Sequence, residues 1–306
     1  MPPLNQFKPM MIDAWRWGTM PYRLWTYAAA RRNGQMPIAV LFYHRVADDD
    51  DNPWTISCRG FQKQIDWLSE HFDILTLAEA QARIRSGHNT RPGICITFDD
   101  GYADNAIFAL PLLIKRNIPV TYFVTTSHTT QGKPFDHDLL RGRPLAPNAP
   151  ETLRALADAG VEIGGHTRNH PSLADIEDPQ VLYDEVVAAS QEMEQVVGQK
   201  IRYFAFPYGQ VENLSPAVFQ LAREYGFAGI CSAYGGWNEI GGDAFHLQRF
   251  HGDPRMAYLK NWLTLDPRKR KIWQTKVVQK MIDDAASPQT ASATSSPGPS
   301  SLPQER

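Results

Sequence analysis

Between residues 37 and 252, short runs rich in β-branched and aromatic residues alternate with stretches of helical periodicity, and few folds accept that alternation. Ile38 to Tyr43, Ile94 to Phe98, Val120 to Val124, Val161 to Gly164, Tyr203 to Phe206 and Phe227 to Cys231 read as strands. Phe61, Ile65 and Leu68 recur at helical spacing, as do Leu153 and Leu156 before Gly160, and Ser215-Pro216 opens a helix that Gly226 closes. Such a chain builds a mostly parallel sheet covered by helices. About seven such units are enough for the sheet to close into a barrel, so the predicted class is α/β, with functional groups at the C-terminal strand ends.

The flanks read differently. Residues 1–36 form a Trp/Arg-rich extension in which Asp13, Arg16 and Arg23 interrupt Trp15, Trp17 and Trp25, so no continuous apolar run of the secretory kind is present. In residues 253–283, Arg268 to Lys271 precede Ile272, Trp273, Val277, Val278 and Met281, a basic amphipathic helix. Packing on the domain is the commoner use of such a helix, and contact with an anionic membrane the other. Residues 284–306, dominated by Ser, Pro, Thr and Ala, are expected to be disordered. The expected location is the cytoplasm, with peripheral contact at the inner membrane face. A net charge of -2, from 31 basic and 33 acidic residues, leaves no footprint for nucleic acid. Cys58, Cys95 and Cys231 show no CxxC spacing and are expected to stay reduced.

Three strand ends carry chemistry. Ile94 to Phe98 runs into Asp99-Asp100-Gly101, where two adjacent carboxylates can divide labour, one binding a cation and one serving as a base. Alone, it is equally an ordinary Asp-Gly turn. Val161 to Gly164 leads to His166-Thr-Arg-Asn-His170-Pro171, two histidines four apart that would share one face of a helix or, since Pro171 pushes His170 away from helical geometry, converge equally well from a loop. Two histidines and a carboxylate at neighbouring strand ends make a three-ligand site with open positions, suited to zinc or another divalent metal. Tyr203 to Phe206 leaves through Pro207-Tyr208-Gly209, where Tyr208 can wall a site and offer its backbone N–H to an oxyanion.

Thr97-Phe-Asp-Asp-Gly101, His166-Thr-x-x-His170 and the Pro207-Tyr208-Gly209 turn, in this order, resemble the signature of the NodB-like polysaccharide deacetylases, carbohydrate esterase family 4. The resemblance covers about residues 37–252. It implies a distorted (β/α) barrel of about seven parallel strands and a metal-dependent hydrolase removing N-acetyl groups from acetamido sugars, with Asp99 as general base and Asp100, His166 and His170 as metal ligands. Members of the family often carry arginine where this chain has Ala205, so another group must orient Asp99. Leu41-Phe-Tyr-His44-Arg-Val46, with Trp54-Thr-Ile-Ser57 after it, looks like the Tyr-His element of the biofilm-polysaccharide deacetylases. That likeness assigns His44 as the acid, kept charged by acidic surroundings, with His251 in reserve. Trp237 is a candidate to stack on a sugar, and Asp104 to cap a helix.

The implied partner is an N-acetylated saccharide: a polymer, an oligomer, or a lipid- or nucleotide-linked sugar. Two other functions fit the motifs, a catalytically silent saccharide-binding domain, favoured by Ala205, and a hydrolase of non-sugar amides or imides.

Overall fold

β1 (Ile38–Tyr43) and β2 (Gly93–Phe98) are buried at every position, as parallel strands covered on both faces must be. The structure is a computed structural model and describes residues 4–49, 52–270 and 273–286. β3 (Thr121–Val124), β4 (Glu162–Gly165), β5 (Tyr203–Ala205), β6 (Gly229–Ser232), β7 (His246–Gln248) and β8 (Phe250–His251) continue the sheet, and the short strand Asp73–Ile74 pairs with β2 off its main path. Its order is β7-β6-β5-β4-β3-β2-β1-β8, with every pairing along it parallel.

β7 and β8 are two halves of one run interrupted at Arg249. The first half pairs with β6 and the second with β1, so the run draws the sheet into the expected barrel, nearly closed, of eight parallel strands. Asn238 stitches the seam, giving its backbone N–H to Ile38 O and its side-chain amide to Ile38 O and Gln248 O.

Alternation along the strands separates two packing layers. Ile38, Val40, Cys95, Phe123, Tyr203, Cys231 and Leu247 meet one another inside the barrel, together with Leu77, Ala80 and Ile84 of the helix Leu77–Arg85. That helix plugs the N-terminal end, where Gln81 donates to Ala228 O and Ala244 O and accepts from Tyr203. Ala39, Leu41, Ile94, Ile96 and Phe98 face outward onto a second layer that includes Phe61, Ile65 and Leu68, the buried face of the helix Cys58–His71. The helix Pro216–Tyr225 ends, as its pattern indicated, at left-handed Gly226.

Two N-terminal helices, α1 (Leu4–Gly18) and α2 (Met20–Arg32), lead into β1. At the other end the helix Trp273–Ala286 buries Val278 and Ile282. Residues 284–286 therefore extend this helix, and the rest of the segment expected to be disordered, 287–306, lies outside the described residues.

Candidate active site

All three motifs and His44 leave the barrel at its C-terminal end. The register of β1 on β2 sets Tyr43 opposite Phe98, and the Asp99 N–H donates to Tyr43 O at 2.9 Å, so the His44 and Asp99 turns start side by side. Asp99 continues the inward alternation of Cys95 and Thr97 and meets Arg249, which is fully buried. The guanidinium grips both carboxylate oxygens, Nη1 to Oδ1 at 2.6 Å and Nη2 to Oδ2 at 2.9 Å. It also donates to Thr97 Oγ1 at 3.2 Å and Ser232 O at 3.1 Å. Bidentate pairing of this kind fixes orientation as well as charge. The partner that Ala205 lacks thus arrives from the seam between β7 and β8.

Asp100 turns the other way because its backbone is left-handed, φ 74°, and Gly101 follows at φ 93°. Its Oδ1 is buried, receives no hydrogen bond of good geometry, and faces His166 Nε2 at 3.5 Å and His170 Nε2 at 3.3 Å. Thr167 and His170 are also left-handed, at φ 67° and 62°. Strain of about 1–3 kcal/mol per residue persists only where surroundings enforce it. Here the buried Glu185 does so: Oε2 accepts from the Arg168 and Asn169 N–H groups at 3.0 and 2.9 Å, and Oε1 from the Asn169 side chain at 2.7 Å. Glu185 lies in a π-helical turn, Asp184–Ala188, a local widening often found at functional sites. The His170 N–H closes the loop onto Thr167 Oγ1 at 2.8 Å.

The donor set fits a divalent metal. Asp100, His166 and His170 offer ligand atoms all within 4.8 Å of one another, and the two nitrogen–oxygen separations match the roughly 3.3 Å edge of a tetrahedral zinc site. His166 Nδ1 pairs with Ala205 O at 2.8 Å, which leaves Nε2 as the free lone pair. Burial opposes charge on Asp100, but His166 and His170 outweigh it and hold the carboxyl well below its usual range. Burial pushes His170 down despite Asp100 beside it. An anionic carboxylate and a neutral imidazole are the forms a metal requires.

These groups open into a cavity of about 460 Å³ lined by His44, Trp54, Asp99, Asp100, His166, His170 and Tyr208, among others. Tyr208, at φ 59° and mostly exposed, sets its ring 5.1 Å from that of His170, while Pro207 is buried beneath the turn. The opposite wall comes from the helix Asp136–Leu140 and from Tyr102, whose hydroxyl donates to Asp138 Oδ2 at 2.9 Å.

Three expectations need correction. Trp237 is buried against Phe250 in the core, near the Asn238 seam, and does not line the cavity; the exposed tryptophan there is Trp54, 4.8 Å from the His44 ring. Asp104 caps nothing and pairs with Arg45 at 2.6 Å. His44 is not held charged, because burial pushes it down more than Asp100 and Asp99 pull it up. His251 packs beside it, ring centroids 6.2 Å apart, and burial takes it to about 4. Arg249 and Glu185 escaped the sequence reading altogether, since neither lies in a motif.

Comparison with known proteins converges on this end of the barrel. Residues 86–230 match the family model described as polysaccharide deacetylase. The chitooligosaccharide deacetylase of a Bradyrhizobium species is 29% identical over 120 residues, covering 38% of this chain and 46% of that protein. The poly-β-1,6-N-acetyl-D-glucosamine N-deacetylase of Staphylococcus aureus is 23% identical, covering 57% and 61%. The chain thus spans about half to three fifths of the curated relatives it matches. Among solved structures, IcaB from Ammonifex degensii superposes with a TM-score of 0.63 at 24% identity, covering 74% of this chain and 97% of that one. Residues 86–230, which hold Asp99, Asp100, His166, His170 and Tyr208, are thus similar to the polysaccharide deacetylases, and the fold around them is shared with IcaB.

Proposed function

We propose that this protein is a metal-dependent hydrolase that removes N-acetyl groups from acetamido sugars. The observation that carries the reading is the separation of two adjacent carboxylates: Asp100 faces two imidazoles while Asp99 is gripped by Arg249 beside them. One residue is placed to bind a cation and the other to act as a base. Because Arg249 fills the role that Ala205 left open, the reason for favouring a silent binding domain falls away.

Asp100, His166 and His170 would hold the ion. A divalent cation there supplies Lewis acidity, polarising a carbonyl and making a water easier to deprotonate. Asp99, its orientation set by Arg249, takes the proton from that attacking water. The water oxygen bonds to the acetamide carbon, and the Tyr208 backbone N–H is the donor we assign to the charge developing on the carbonyl oxygen. The C–N bond then breaks and acetate leaves, while His44 on the cavity wall takes up the proton gained by Asp99 and passes one to the leaving amine. The proton gained by Asp99 balances the one delivered to the amine. Trp54 offers an aromatic face to the sugar.

The test pairs metal content with acetate release from N-acetylglucosamine oligomers. Wild type is expected to carry about one divalent ion and to release acetate. The double variant His166→Ala, His170→Ala loses both, whereas Asp99→Asn keeps the metal and nearly abolishes turnover. Metal without acetate release redirects the search to non-sugar amides, and a protein that never binds metal overturns the reading.

A further inference from the structure

A helix packed on a domain turns its apolar stripe inward and its polar residues to water. α1 and α2 do the reverse. On α2, Arg23 and Thr26 are buried, while Tyr22, Leu24 and Trp25 are 50%, 62% and 68% exposed. Arg23 anchors the helix to the domain, donating to Asn261 O and Thr264 O through Nη1 and to Asn261 Oδ1 through Nη2. On α1, Met10, Met11 and Trp17 are 69%, 68% and 63% exposed, whereas Asp13 and Arg16 are partly covered and paired. Trp15 Nε1 donates to the buried Asp266. The domain therefore holds both helices with their apolar faces outward.

We infer that this face is a membrane-binding surface, laying Met10, Met11, Trp17, Leu24 and Trp25 into the interface of an anionic bilayer. Charge selects that occupant. Apart from the buried Arg23 and from Arg16, which pairs with Asp13, residues 4–32 contain the cations Lys8, Arg31 and Arg32 and no further acidic residue, although the whole chain is net negative. Arg31 and Arg32 are exposed at the end of α2, where they meet acidic headgroups. Tryptophan and tyrosine, apolar bodies with a polar edge, suit the headgroup level. No helix among the described residues is long and apolar enough to cross a membrane, so these two lie along it. A two-fold pairing of copies through this face would instead oppose arginines without acidic partners. The basic run near residue 270 is used within the protein: Arg268 pairs with Asp266 and Arg270 with Glu239, and burial lowers Lys269.

The test is co-sedimentation of the full chain with vesicles of phosphatidylcholine alone or mixed with phosphatidylglycerol. The protein is expected on the anionic vesicles at low salt, and less of it as salt rises. Trp17→Glu with Trp25→Glu is expected to lower binding by about tenfold, and Arg31→Glu with Arg32→Glu to remove the preference for phosphatidylglycerol. Neither pair touches the cavity, so acetate release from dissolved oligomers stays at the wild-type rate; Trp17→Ser with Trp25→Ser replaces a glutamate variant that fails to melt cooperatively. Absence of binding to anionic vesicles at low salt, or binding that every variant retains, overturns the inference. So does a dimer in sedimentation equilibrium that the tryptophan variants dissociate, which would assign the face to a second copy.

Discussion

At the scale of single residues, Arg249 decides what Asp99 can do. It is fully buried, and four of its N–H groups meet two carboxylate oxygens, a hydroxyl and a carbonyl. Lysine would keep the charge and lose the fork. Arg249→Lys is therefore expected to lower kcat by about a hundredfold with KM little changed, because misorienting the base damages the chemical step more than substrate binding. Arg249→Met, which leaves Asp99 buried and unpaired, is expected to cost about 3–5 kcal/mol of stability. Steady-state kinetics and urea denaturation check the pair, and a kcat unchanged in the lysine variant would remove the orienting role. None of this was legible in the motif containing Asp99. Arginine lies 150 residues away in sequence, in a short run whose His246, Gln248 and Arg249 hide the alternation that reveals a strand.

At the scale of elements, the loop from His166 to His170 is held open by a helix it does not belong to. Glu185 takes three N–H donors from Arg168 and Asn169, and the π-helical turn around it brings the carboxylate under the loop. Glu185→Ala is expected to weaken metal binding by about 10–100-fold, as loss of a supporting partner commonly does, with Glu185→Gln recovering part of the affinity. Competition with a chelating dye measures both, and equal affinity in all three proteins would show that the loop holds itself. The strands and helices around this loop were largely readable from hydrophobic periodicity and from Gly226 as a stop signal. The left-handed backbone at Asp100, Thr167, His170 and Tyr208 was not. Asp, Thr, His and Tyr adopt it here because buried partners outweigh the local cost, and such partners come from distant segments.

At the scale of the whole molecule, burial of histidine ties stability to pH. His246 lies under the barrel wall with Nε2 bonded to Ser232 Oγ at 2.8 Å, and burial, only partly opposed by Asp243, takes it from 6.5 to about 4. Above pH about 6.5 neither folded nor unfolded chain protonates this ring, and its contribution is flat. As pH falls from about 6.5 to about 4, the unfolded chain binds the proton first, so stability declines, by up to roughly 3 kcal/mol for this one group. Urea midpoints measured across that range are expected to fall, and less steeply in His246→Gln; equal slopes would contradict the assignment. The alternation of strand and helix patterns was enough to indicate a mostly parallel sheet able to close into a barrel and to put Asp99, Asp100, His166, His170 and Tyr208 at its C-terminal strand ends, because periodicity and turn chemistry are local properties of the chain. Tertiary structure alone decided that Arg249 grips Asp99, that Trp54 rather than Trp237 reaches the cavity, that burial pushes His44 down more than the nearby carboxylates raise it, and that α1 and α2 show their apolar faces to solvent. Each of those outcomes depends on what a side chain meets across the barrel or on the domain surface, and no spacing within the sequence carries that information.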